Sequence, residues 1–93
     1  MLVGVCELEL FIHSSNSLKE KRFVLKSIKD QVMRKFNVSI AEVKHLDKWQ
    51  LAGLGIATVS NEKRVVQQTF DEIIKLIEFK GETEIVSQSV QIY

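Results

Sequence analysis

SLKEKRFVLKSIKDQVMRKFNVSIAE, residues Ser17 to Glu42, changes its periodicity part-way along, and that change decides the fold. As far as Phe36 the apolar residues keep helical spacing. Leu18, Leu25, Ile28, Val32 and Phe36 make one stripe, and Val24 widens it. Ser17 opens the helix as a capping box, its hydroxyl placed for the backbone N–H of Glu20 and the Glu20 carboxylate placed to reach back. Asn37 tolerates the left-handed conformation, so the helix is expected to stop there. From Asn37 to Trp49 the pattern alternates, with Val38 and Ile40 on one side and Ala41 and Val43 on the other, which is the period of a strand.

Working outward, Leu2 to Ile12 alternates as well. Leu2, Gly4, Cys6, Leu8, Leu10 and Ile12 share an apolar face, while Val3, Val5, Glu7, Glu9 and Phe11 share a mixed one. Downstream, Leu51 to Ser60 is a second run of small and β-branched residues. The polar link around Asp47 and Lys48 makes a hairpin of it with the preceding strand. Ser60 and Asn61 are cap residues for a second helix from Glu62 to about Lys80, whose stripe is Val66, Phe70, Ile73, Ile74 and Ile77. Gly81 ends that helix, and TEIVSQSVQIY supplies a fourth strand. The order is βαββαβ. Right-handed crossovers put both helices on one face of a four-stranded antiparallel sheet, giving an α+β, ferredoxin-like sandwich. Residues 1–93 are expected to form this single domain.

Composition bounds the function. The chain is 45% apolar and 27% charged, has four glycines and no proline, and fits a globular protein built mostly of regular elements. Cys6 is its one cysteine, so no intrachain disulfide and no Cys/His metal framework can form; a lone cysteine in an apolar strand is expected to be a small buried hydrophobe. The first twelve residues lack a basic leader region and carry Glu7 and Glu9, and no apolar run approaches the ~20 residues that cross a bilayer. A cytoplasmic protein without membrane contact is expected.

Charge is the most informative feature. Between Lys19 and Lys35 stand seven cations and two anions, a segment of +5, whereas the remaining six cations and ten anions make −4, and the two sum to the chain's +1. At 100° per residue, Lys19, Arg22, Lys26 and Lys29 fall within about 80° of one another, in a row about 15 Å long. Such a row can follow a phosphate backbone. Lys21, Arg34 and Lys35 are expected to add longer-range attraction, with Asp30 and Arg34 forming an i,i+4 pair. RNA or a ribonucleoprotein is the first partner this suggests, an acidic protein the second. A solvated face that serves solubility is the plain alternative.

Other chemistries lack their parts. An acylphosphatase-type enzyme on this fold needs an arginine in an anion-cradling first loop, and HSSNS (His13 to Ser17) has neither arginine nor glycine. Base stacking on the sheet needs aromatics in the middle strands, where Gly53, Gly55 and Ala57 stand instead. His13 and His45 lack ligand spacing for a metal, and His13 with Ser14 or Ser15 lacks an orienting carboxylate nearby in sequence. Close packing or a bulge accounts for Gly53 and Gly55 better than a phosphate loop does. Trp49 is expected to anchor the core, although its polar neighbours Asp47, Lys48 and Gln50 also suit a partner contact. No catalytic residue and no cofactor is expected. A homodimer through the open sheet face, which carries Val3, Val5 and Phe11, is the alternative to RNA docking.

Four segments, SLKEKR (Ser17 to Arg22), FNVSIAEV (Phe36 to Val43), DKWQ (Asp47 to Gln50) and VSN (Val59 to Asn61), make the chain similar to the small bacterial family of YlxP-like proteins, a domain of unknown function (DUF503). The resemblance covers nearly the whole chain. It implies a ferredoxin-like fold and, through the translation and ribosome-maturation genes that neighbour its members, an RNA- or ribosome-associated role. It implies no catalytic residue.

Overall fold

The computed structural model describes Met1 to Tyr93. Its elements are β1 (Leu2–Phe11), α1 (Leu18–Lys35), β2 (Ser39–Lys44), β3 (Leu51–Ser60), α2 (Lys63–Lys80) and β4 (Glu84–Ile92). The sheet runs β2-β3-β1-β4 with every neighbour antiparallel, the ferredoxin-like arrangement expected from the order of elements. β1 and β3 pair without a shift from Leu2↔Ser60 to Phe11↔Leu51. This register sets Cys6 opposite Ile56, Leu8 opposite Leu54 and Leu10 opposite Ala52. All six are buried in one cluster with Leu25, Ile28 and Val32 of α1 and Val66, Phe70, Ile73 and Ile77 of α2, so both helices cover the same face.

The helix ends follow from local chemistry. Ser17 is extended and its Oγ accepts from Glu20 N–H at 3.1 Å. The Glu20 carboxylate reaches one residue beyond the expected partner and accepts from Asn16 N–H at 2.6 Å. The other end of α1 differs from the sequence expectation. Asn37 is not left-handed; instead Phe36 is extended, with φ −130 and ψ 146, and its N–H donates to Val32 O at 2.9 Å. The phenyl ring packs against the core, and that pull turns the chain into β2 without a left-handed cap. Gly81 ends α2 as expected, at φ 71.

Two close approaches shape the sheet. A Cβ on Gly4 would overlap Val66 Cγ1 and stand 3.0 Å from the Phe70 ring, so this position needs glycine for α2 to lie flat. Gly53 lies beneath Lys44, whose Cβ would be 2.5 Å from an added Cβ, at a bulge in the β2–β3 ladder between Glu42 and Lys44. The hairpin then turns through His45, the only non-glycine residue with positive φ (61°), and Lys48 N–H closes the turn on His45 O at 3.0 Å. Trp49 follows this turn and is 57% exposed, not a core anchor. The core is already filled by the aliphatic faces of β1 and β3, and the turn holds the indole outside it.

Cys6 sits in the middle of the sheet with no exposed surface. Burial, with Glu7 adding to it, pushes its thiol up to about 11.

Candidate functional site

α1 divides its seven cations unequally. Lys19, Arg22, Lys26, Arg34 and Lys35 are exposed and Lys29 is half-buried, but Lys21 is completely buried. Lys21 therefore leaves the set of residues proposed to attract a partner. The reason is angular. Lys21, Leu25, Ile28 and Val32 are spaced i, i+4, i+7 and i+11, so Lys21 lies in the centre of the core stripe and not on the basic row. Its ammonium donates to His45 O at 2.8 Å and Leu51 O at 3.1 Å. Glu42 Oε2 lies 2.8 Å away as an ion pair, at an angle outside hydrogen-bond geometry. Lys21 thus ties α1 to both sides of the β2–β3 turn.

Of the remaining six, only Lys26 meets a carboxylate, with its Nζ 2.9 Å from Asp30 Oδ2. This replaces the expected Asp30–Arg34 pair. The hydrogen bond from Lys26, helped by the charges of Lys26, Arg34 and Lys29, outweighs partial desolvation and holds the Asp30 carboxyl below its usual range. Lys19, Arg22, Lys29, Arg34 and Lys35 have no anion within 4 Å.

Phe23 lies among these cations and is 77% exposed. With Lys19, Arg22 and Lys26 it lines an open groove of about 720 Å³ that continues to Ser14 and Ser17 at the helix start. Its position on the helix, about 160° from Leu25 and off the core stripe, could have marked it from the sequence as an aromatic ring with no core to fill. A second exposed ring, Phe79, lies beside Arg34 and Lys35 where α2 passes the end of α1.

The other candidate groups are dispersed. His13 Nε2 lies 2.9 Å from Glu84 Oε1, so the sheet does supply the carboxylate that the local sequence lacks, but both side chains are exposed. Ser15 Oγ is committed to Ser17 O at 3.0 Å. His45 approaches Glu9 at 3.7 Å on the far side of the sheet, and Lys44 approaches Glu7 at 3.5 Å. Those pairs, with Gly53, Gly55 and Ala57 beside them, occupy the centre of the open face, which has no aromatic platform. No three His, Cys, Asp or Glu residues stand together as a metal site, and no helix is long and apolar enough to cross a membrane.

Residues 3–90 match the model of a family described as a protein of unknown function, DUF503. The chain belongs to this family. An uncharacterized relative, YlxP of Bacillus subtilis (strain 168), is 40% identical over 83 residues, which cover 89% of this chain and 90% of YlxP. Among solved structures, the de novo designed protein Foldit4 superposes over 100% of this chain and 97% of its own, with a TM-score of 0.56 and 16% identity. LarC2, the C-terminal domain of a cyclometallase involved in the synthesis of the NPN cofactor of lactate racemase, superposes over 100% of this chain and 55% of its own, with a TM-score of 0.51 and 13% identity. At such identities both likenesses concern the fold alone. The DUF503 description assigns no activity.

Proposed function

We propose that this DUF503 protein is a non-enzymatic accessory protein that docks on RNA or a ribonucleoprotein through the outward face of α1. The observation that carries the proposal is a row of cations, Lys19, Arg22 and Lys29, that have no internal anion, the first two of which share a groove with the exposed ring of Phe23. Lysines kept for solubility alone do not call for an aromatic ring among them. A single-stranded nucleic acid uses both features: its phosphates displace counterions from the row, and a base stacks on the ring. Lys26 joins the row readily, because an exposed ion pair like that with Asp30 is weak and easily exchanged. Arg34 and Lys35 extend the field toward Phe79.

The test is binding of a single-stranded RNA to the parent protein and to two variants at several salt concentrations. Replacing Lys19, Arg22, Lys26 and Lys29 together with Glu should abolish binding and leave the circular dichroism unchanged. Phe23→Ala should weaken binding by about 1–3 kcal/mol, the worth of one base–aromatic stack. It should do so without changing the salt slope, since it removes no charge. Parent-like binding by the four-Glu variant would show that α1 is not the docking surface.

A further inference from the structure

The two edges of the sheet are built differently. Both ladders carry a bulge, but the β2 edge is only six residues long and carries Glu42 and Lys44, and short length and charge are common devices for discouraging a new strand. The β4 edge is nine residues long and has no charge between Ile85 and Ile92; every residue from Val86 to Gln91 is exposed. Val3 and Tyr93 exchange both backbone hydrogen bonds, each 2.8 Å. The β1–β4 register runs unbroken from Gly4↔Ile92 to Glu9↔Ser87. Alternation along an antiparallel ladder therefore turns the N–H and C=O of Gln88, Val90 and Ile92 outward, away from β1. Val86 lies at the bulge in this ladder, has no β1 partner and is 49% exposed; Val90 is 42% exposed.

Residues 86 to 90 read Val-Ser-Gln-Ser-Val, the same in either direction. We infer that β4 pairs antiparallel with β4 of a second copy of this chain, on a two-fold axis through Gln88. Gln88 is one of the residues whose backbone groups point outward, so it meets its symmetry mate as a hydrogen-bonded pair. The next outward residue, Val90, then lies across from the partner copy's Val86, the extra residue of the bulge. Ser87 falls opposite Ser89, and no like charges face one another at the centre. A self-complementary strand of this kind is what an isologous two-fold interface requires, and it joins two four-stranded sheets into one of eight. The pairing does not use the open sheet face, so it is separable from a dimer through Val3 and Val5. It is also independent of what binds α1.

Because residue 88 faces itself across the axis, charge substitution there tests the pairing. The parent should sediment as a dimer. Gln88→Lys and Gln88→Glu should each raise the dimer dissociation constant at least tenfold, through like charges set directly opposite. An equimolar mixture of the two variants should restore association as a heterodimer. Circular dichroism should stay unchanged, since this side chain is exposed at the edge. Val5→Lys, on the open face, should leave the dimer intact. A parent monomeric at every concentration would overturn the inference. So would a dimer insensitive to either charge at 88, or one dissolved by Val5→Lys and not by the edge variants.

Discussion

Lys21 shows how one residue can be charged, helical and inside. Its stem occupies the α1 core stripe between the positions that Leu25 and Ile28 continue, and its ammonium is carried through to the hairpin, where two backbone carbonyls and Glu42 receive it. Removing one partner of a buried pair leaves the other uncompensated, so Lys21→Met should destabilise the fold by about 3–5 kcal/mol in urea unfolding. Glu42→Gln introduced with it should recover part of that loss, which a double-mutant cycle would read directly. The count of seven cations in this segment was legible in the sequence, but the count alone concealed the one that faces inward. The i, i+4, i+7 spacing to Leu25 and Ile28 contained that information. The partner carbonyls of His45 and Leu51 did not show, because hydrogen bonds between residues 24 and 30 positions apart follow from the hairpin's final path.

At the scale of elements, patterns of period two and 3.6 were sufficient to place all four strands and both helices, and the Ser17 cap and Gly81 stop fell where local chemistry put them. The failures were at junctions. Asn37 lost to Phe36, and the hairpin, placed as expected around Asp47 and Lys48, enters its turn through a left-handed His45 that no glycine or Asn-Gly pair announced. In both places a side chain's tertiary contact outweighed backbone preference: the Phe36 ring packs on the core, and the His45 carbonyl receives Lys21. The charged face of α1 makes a prediction of its own. Asp30 holds Lys26 in the only carboxylate pair on the outer row. Asp30→Asn should release that ammonium and tighten RNA binding by about two- to fivefold at low salt, in line with the modest worth of an exposed pair. Filter binding at two salt concentrations would measure it, and the gain should shrink at the higher one.

For the molecule as a whole, the apolar faces of β1, β3, α1 and α2 close on one another and leave the other side of the sheet to Glu7, Glu9, Lys44 and His45. The core was legible from the strand and helix periods, and so was the outward position of Phe23, whereas the free β4 edge required the sheet to be set in space. Cys6 gives the whole fold a pH dependence. The folded thiol titrates at about 11 and an unperturbed one at 9.0, so the unfolded chain loses its proton first as pH rises. The stability due to the neutral buried thiol is present in full below about pH 9 and is lost toward pH 11. Urea midpoints across that interval should fall more steeply for the parent than for Cys6→Ala.

The position of that sulfur has a practical outcome. Cys6 is sealed between the two central strands and both helices, so a thiol reagent reaches it when the molecule comes apart and not by diffusion along the surface. The speed at which the native protein takes up such a reagent is therefore a built-in clock of global opening, readable by mass spectrometry without any added label.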